Sequence, residues 1–215
     1  MITQLISNPL GFFRQVLLIL PALVIGFSFH GFAHAWVADK LGDDTPRLQG
    51  RLTLSPLANV DPIGLGMMLL LGFGYARPVV INPNNFKNRR RDFILVSLAG
   101  VTVNFVISFL ACGLWFFLVT RVSASIDVYT IVYNIFIYNL VMIIFNLLPI
   151  PPLDGYNVVK NLLINNRTVN FFWTLERYGQ FILIFLLVSG LIDRVLIPLL
   201  MPLANFIMSI WAKIL

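Results

Sequence analysis

Charged residues are scarce in this sequence. Asp, Glu, Lys and Arg make up only 11% of its 215 residues, whereas 59% are hydrophobic and the mean hydropathy is +0.88. This composition excludes a soluble domain. The sequence also lacks a polar insert long enough for a peptide-binding or nucleotide-sensing domain. We therefore expect one integral-membrane domain over residues 1–215, with its core in residues 10–160 and C-terminal helices in residues 178–215.

Side chains that bind metals are also few. The chain has two histidines, His30 and His34, and one cysteine, Cys112, which lies in an apolar run and is interpreted as a packing residue. A transporter that moves metal ions needs further histidines or carboxylates along its path. The three longest apolar runs contain no acid before Asp154, which follows the last of them. This absence disfavours a transporter.

Three uncharged runs exceed the ~20 residues that cross a bilayer core. They cover residues 15–38, 93–120 and 128–153, and we predict that each is a transmembrane helix. The first run lacks a small-residue cleavage site after it, which favours a retained helix over a removed signal peptide.

Three weaker runs complete the apolar pattern. They cover residues 62–76, 178–192 and 195–212, and prolines interrupt the last one. The glycine-rich run 62–76 predicts a short or re-entrant element that protein must shield, because backbone polar groups need partners at membrane depth. The expected fold is an α-helical polytopic membrane protein with about four to six transmembrane segments.

The positive charge of the chain has a definite position. A net charge of +6 and a pI near 9.8 have two possible explanations, a site that binds nucleic acid or basic flanks that orient membrane helices. However, Lys87, Arg89, Arg90 and Arg91 cluster just before the run 93–120, as the positive-inside rule expects for a cytoplasmic flank. We therefore predict contact with a lipid bilayer and not with nucleic acid. The expected localisation is the cell membrane, with the first and third helices running inward.

The stretch HGFAHA, residues 30–35, places two histidines four residues apart. His30 and His34 then lie one turn apart on one helix face, as two ligands of one metal ion require. Asp154 follows another inward-running helix and reaches a similar depth on the cytoplasmic side. A catalytic zinc site has three protein ligands and an open fourth position. The pattern predicts one Zn²⁺ per chain; packed, hydrogen-bonded histidines are the alternative.

Two segments between the apolar runs have strand-like patterns. GRLTLSPL, residues 50–57, alternates polar and apolar side chains, and ARPVVIN, residues 76–82, is rich in β-branched residues. We predict two short strands that pair as a small β-hairpin or sheet near the active site. An open edge of this sheet would accept an extended peptide. A purely structural hairpin is the alternative.

These motifs together resemble the site-2 protease family of intramembrane zinc metalloproteases, in its compact bacterial form. The histidine pair matches the first family motif except at Gly31, where the family has glutamate. The last motif is matched by Asn146, Pro149, Asp154 and Gly155. Further similar stretches are GRLTLSPLANVDPIG (residues 50–64), GFGYARPV (residues 72–79) and AGVTVN (residues 99–104), in which Val101 replaces a usual proline.

The resemblance implies hydrolysis of a peptide bond in a transmembrane or membrane-anchored protein substrate. It implies that His30, His34 and Asp154 bind the zinc and that position 31 supplies the general base. Asn104 and Asn146 match polar positions near the substrate or the oxyanion. Interhelical hydrogen bonding is the alternative role of both asparagines.

Gly31 conflicts with an active protease. Glycine can neither accept the proton of an attacking water nor deliver it to the leaving nitrogen, and loss of a general base costs about 10²- to 10⁴-fold in rate. Glycine is also ~1 kcal/mol worse than alanine inside a helix. Three interpretations remain: an inactivating substitution, a natural pseudoprotease that binds membrane helices without cleavage, or a glycine needed for close packing. The intact remainder of the motif favours the first.

Overall fold

The structure is a computed structural model that describes residues 2–71 and 74–215. The described residues are almost entirely helical. The helices are α1 (Ile2–Ser7), α2 (Pro9–Lys40), α3 (Thr45–Leu48), α4 (Pro56–Asn59), α5 (Pro62–Leu71), α6 (Arg89–Arg121), α7 (Ile126–Asn146), α8 (Asp154–Leu163), α9 (Val169–Val188) and α10 (Asp193–Ile214). A turn of 3₁₀-helix, Pro83–Asn85, precedes α6.

Among the described helices, α2, α6, α7, α9 and α10 are long and apolar enough to cross a membrane. These five overlap the three long apolar runs and the two C-terminal runs, and their number lies within the predicted four to six. The C-terminal helices begin earlier than predicted, because α9 starts at Val169 and not at residue 178. The run 62–76 instead begins with α5, a helix of 10 residues, as expected for a short element. Residues 72 and 73 of that run lie outside the described residues.

Prolines determine where α7 ends, and hydropathy alone predicts the wrong residue for this end. The apolar run 128–153 was predicted to be one helix, but α7 ends at Asn146. Pro149, Pro151 and Pro152 follow, and proline has no backbone N–H with which to continue a helical ladder. The chain therefore turns and begins the separate helix α8 at Asp154.

Helices α2, α6 and α7 pack against one another and form the centre of the molecule. Their contacts bury Leu23 from α2, Val96 from α6, and Phe136 and Leu140 from α7. Helix α8 packs on α6, and α10 packs on α6 and α7. Helix α6 thus supports α8, which begins with Asp154.

The prediction of a β-hairpin is wrong, because no strand forms in residues 2–71 or 74–215. Pro56 begins the short helix α4 within the first expected strand. The buried Arg51 guanidinium donates to the carbonyl oxygens of Ala58 and Arg77, and the Arg77 N–H donates to Asn59 O at 3.1 Å. Side-chain hydrogen bonds and this single backbone bond therefore hold the two segments together in place of a ladder.

Candidate metal centre

The side chains of His30, His34 and Asp154 meet at one point. Asp154 Oδ2 lies 3.2 Å from His30 Nε2 and 3.3 Å from His34 Nε2, and the two Nε2 atoms are 2.9 Å apart. Among the described residues, these three form the one group of His, Cys, Asp or Glu side chains arranged to hold a metal ion. The side chain of Asp154 is 14% exposed, so the centre is buried but not sealed.

Hydrogen bonds on the far side of each imidazole orient the two rings. His34 Nδ1 lies 2.7 Å from the Val96 carbonyl oxygen, to which only a protonated Nδ1 can donate. His30 Nδ1 lies 3.4 Å from the amide nitrogen of Asn104. The protonated Nδ1 of His34 leaves the lone pair of that ring on Nε2, which is the tautomer that binds a metal through Nε2.

The donor set fits a cation. With both Nε2 atoms unprotonated, two nitrogen lone pairs and one carboxylate oxygen converge without a shared proton. Asp154 Oδ2 is buried and has no hydrogen-bond partner. Tetrahedral Zn²⁺ with bonds of 2.0–2.2 Å separates its ligand atoms by about 3.3–3.6 Å. The two distances from Asp154 Oδ2, 3.2 and 3.3 Å, are close to this range, and a small separation of the two imidazoles from 2.9 Å completes it, so the residues fit zinc.

Helix α6 approaches the histidine pair through Gly100. A β-carbon at this position would lie 2.5 Å from His30 Cε1 and 2.5 Å from His34 Nε2. Any side chain at position 100 would therefore displace the imidazoles. Gly100 lies in the AGVTVN stretch, but nothing in the sequence alone showed that it contacts the histidines.

A second glycine positions Asp154. A β-carbon at Gly155 would lie 2.2 Å from the Leu147 carbonyl oxygen, which belongs to the turn after α7. The start of α8 can therefore lie directly against the end of α7. This close approach brings Asp154 to the histidines of α2.

Helix α8 is also fixed from its other side. The Tyr156 hydroxyl donates to the Phe172 carbonyl oxygen at 3.1 Å, and Lys160 pairs with Glu176 on α9. Burial, with the nearby Glu176, raises the pKa of Tyr156 to about 12, so its hydroxyl remains a donor at neutral pH.

Gly31 contacts a residue that sequence reasoning missed. A β-carbon at position 31 would lie 2.8 Å from Asn59 Oδ1. Asn59 is fully buried in α4, within the GRLTLSPLANVDPIG stretch, and its Oδ1 has no hydrogen-bond partner. The side-chain amide of Asn59 thus lies next to position 31, where the family has its general base.

No other acid of the described chain replaces a base at position 31. Glu176, the only glutamate in the sequence, pairs with Lys160. The buried Asp92 accepts from the Asn88 N–H, and Asp61 accepts from two N–H groups at the start of α5. The remaining aspartates pair with an arginine, bind a loop or lie exposed: Asp39, Asp43, Asp44, Asp127 and Asp193.

The two asparagines predicted near the substrate differ in position. Asn104 is fully buried and contacts His30, so it belongs to the centre. The Asn146 amide nitrogen donates to the Met142 carbonyl oxygen of its own helix at 2.9 Å. That bond is neither interhelical nor directed at the histidines. A role of either residue toward substrate or oxyanion stays a prediction.

Comparison with known proteins agrees with the motifs. The sequence profile of peptidase family M50 matches residues 118–190, which include Asp154. A protein of Bacillus subtilis named "Putative zinc metalloprotease YwhC" is 37% identical over 204 residues, which cover 89% of this chain and 90% of that protein. "Putative zinc metalloprotease Rip2" of Mycobacterium tuberculosis is 31% identical over 84% of this chain and 69% of that protein. No solved structure matches significantly.

The chain belongs to the site-2 protease family, peptidase family M50. Members of this family are zinc metalloproteases, and the three convergent side chains fit that cofactor. The five apolar helices and the family together define a multi-pass membrane protein.

Proposed function

We propose that His30, His34 and Asp154 bind one Zn²⁺ per chain and that the centre acts on membrane-embedded segments of other proteins. The observation that carries this proposal is the convergence of three lone-pair atoms within 3.3 Å of one another. Such a cluster of acceptors repels itself unless a cation lies between them. The family adds that the reaction is peptide-bond hydrolysis.

The residues of this chain have separate tasks in that reaction. When bound, Zn²⁺ supplies a Lewis acid that polarises a carbonyl group and activates water. The Val96 carbonyl of α6 holds His34 in the ligating tautomer, Asn104 of the same helix contacts His30, and Asp154 contributes the negative charge. Position 31 should carry the group that moves the proton from the attacking water to the leaving nitrogen. Gly31 has no atom that can do so.

We therefore infer that this chain binds its substrate without efficient cleavage. The absence of a substitute acid near position 31 in the described structure supports this inference, because the sole glutamate pairs with Lys160 on the other side of α8. An inactivated protease and a natural pseudoprotease that holds membrane helices share this chemistry. The first is favoured because the ligand set and its supporting glycines are intact.

We further propose that the centre lies toward the cytoplasmic side of the membrane. Its function would be regulated proteolysis of membrane-anchored proteins. Lys40, at the end of α2, borders the same cavity as Lys87 and Arg91, next to the start of α6. The C-terminal end of α2, which follows His30 and His34, therefore lies at the same end of the molecule as the basic cluster of residues 87–91. The positive-inside rule assigns such a cluster to the cytoplasm.

The test is to restore a base with Gly31→Glu and to assay cleavage of a membrane-anchored protein in proteoliposomes. Gly31→Gln is the matched control, because it has nearly the same shape but no carboxylate. We expect cleavage with glutamate to exceed cleavage with glutamine by about 10²- to 10⁴-fold. Adding His34→Ala should abolish it. Equal cleavage by the Gly31→Glu and Gly31→Gln chains, also when Asn59 beside position 31 is shortened to alanine, would contradict the proposed role of position 31.

A further inference from the structure

Asn59 is held rigidly beside α2. Its amide nitrogen donates to the Thr53 carbonyl oxygen at 2.7 Å and to the Ser55 carbonyl oxygen at 3.1 Å. Its backbone carbonyl accepts from the Arg77 N–H at 3.1 Å. The side chain has no exposed surface. Both ends of the residue are therefore fixed.

The remaining polar atom of Asn59 points at Gly31. Asn59 Oδ1 is buried and unpartnered, 2.8 Å from the place where a β-carbon of residue 31 would lie, and Asn59 Cγ is 3.4 Å from it. A contact below 3.0 Å is shorter than a β-carbon tolerates, so a side chain at position 31 requires Asn59 to move.

Movement of Asn59 is costly for two reasons. Turning its amide over would bring Oδ1 against the carbonyl oxygens of Thr53 and Ser55, and two acceptors repel. Displacing the backbone would disturb the bonds of the Arg51 guanidinium. This group donates to the carbonyl oxygen of Ala58, which precedes Asn59, and to that of Arg77, whose N–H bonds to Asn59 O. The loop thus resists a side chain at position 31.

We infer that Asn59 is a positioning residue of the metal centre, and that it controls whether position 31 can carry a side chain. The catalytic consequence rests on the proposed function, whereas the steric competition does not. A glutamate at position 31 would be displaced from its working position while Asn59 is present. Reactivation by Gly31→Glu should therefore improve when Asn59 is shortened to alanine.

The steric part is tested by a cycle of thermal unfolding measurements in detergent micelles. Alanine is favoured over glycine inside a helix, so Gly31→Ala should raise Tm where space exists. We expect Gly31→Ala to lower Tm when Asn59 is present and to raise Tm in an Asn59→Ala background. Gly66→Ala is the matched control, since a β-carbon at this helical position meets nothing within 4 Å. It should raise Tm in both backgrounds.

The same proteins are assayed for zinc content, and the Gly31→Glu chains for cleavage. We expect zinc binding to be similar in all these chains. We expect Gly31→Glu with Asn59→Ala to cleave up to about 10²-fold faster than Gly31→Glu alone, because a misplacement of 1 Å has an effect of that size. If the Asn59→Ala background does not fold, Asn59→Ser removes Oδ1 and serves in its place.

The outcomes separate this inference from the proposed function. The same change in Tm on Gly31→Ala in both backgrounds would overturn the inference. A reversal of its sign between the backgrounds, with no cleavage by either Gly31→Glu chain, would support the steric role of Asn59 and contradict the proposed protease function.

Discussion

Gly100 on α6 faces His34 on α2 so closely that a β-carbon at position 100 would lie 2.5 Å from His34 Nε2. The same helix supplies the Val96 carbonyl that orients His34. Helix α6 therefore forms the back wall of the metal centre, although it provides none of the three convergent atoms. The tolerance of this wall for substitution can be measured.

We expect Gly100→Ala to weaken zinc binding by about 10- to 100-fold, the effect that loss of a supporting contact around a metal ligand has. The added methyl group must displace both imidazoles from the positions in which they meet Asp154. Thr102→Ala is the control on the same helix, because Thr102 is exposed and its hydroxyl donates only within α6. Equal zinc affinity in the two variants would show that the imidazoles yield without loss.

Purified protein that has not met a chelator should contain one zinc per chain despite Gly31, because the missing base is not a proposed ligand. His34→Ala and Asp154→Asn should each reduce zinc affinity by more than the ~10- to 100-fold attributed to supporting groups. Asp154→Asn retains the shape of the side chain but removes its charge. Asp127→Asn, at a surface ion pair with Arg14, is the control. Full zinc occupancy in Asp154→Asn would exclude the carboxylate as a ligand.

The membrane orientation can be tested by cysteine labelling. Arg89→Cys should react with an impermeant reagent only from the cytoplasmic side, since Arg89 starts α6 in the basic cluster. Ser123→Cys, in the loop between α6 and α7, should react only from the opposite side. The parent chain is the blank, because Cys112 is buried. Labelling of Arg89→Cys from outside alone would invert the proposed topology.

Hydropathy and spacing predicted the central helices and the convergence of His30, His34 and Asp154 because both depend on local patterns in the sequence. Uncharged runs longer than a bilayer core can form only helices in this setting. Four residues between His30 and His34 bring both rings to one helix face. The positive cluster at residues 87–91 predicted which helices run inward, and on that basis Asp154 was expected at the depth of the histidines.

The parts that escaped prediction depend on contacts across the chain. The polar and apolar alternation of residues 50–57 is typical of a strand, but Pro56 begins the helix α4. Arg51 donates to Ala58 of that helix, and the Thr53 carbonyl accepts from Asn59. No local pattern reports that Gly100 contacts His34 or that Asn59 covers Gly31. Both are distances between elements that sequence periodicity does not encode.

The loop after α2 gives a prediction about pH. The fully buried carboxylate of Asp43 accepts from the Thr45 hydroxyl at 2.6 Å, the Asn82 N–H at 2.8 Å and the Asn85 amide at 2.8 Å. Burial alone would raise the pKa of Asp43, but these hydrogen bonds outweigh it and hold the pKa below its ordinary value. The carboxylate therefore joins the loop after α2 to the segment before α6.

A lowered native pKa means that the unfolded chain binds more protons than the native chain near the ordinary pKa of ~3.9. The stabilisation is complete above that pKa and is lost as the pH falls through the lower native value. We expect Asp43→Asn to reduce the free energy of unfolding by about 1–3 kcal/mol at pH 7, since an amide cannot accept all these bonds. The difference from the parent chain should shrink toward pH 3. Asp44→Asn, at an exposed neighbour, should change little. A difference between Asp43→Asn and the parent that stays constant from pH 7 to pH 3 would show that this carboxylate does not stabilise the fold through its charge.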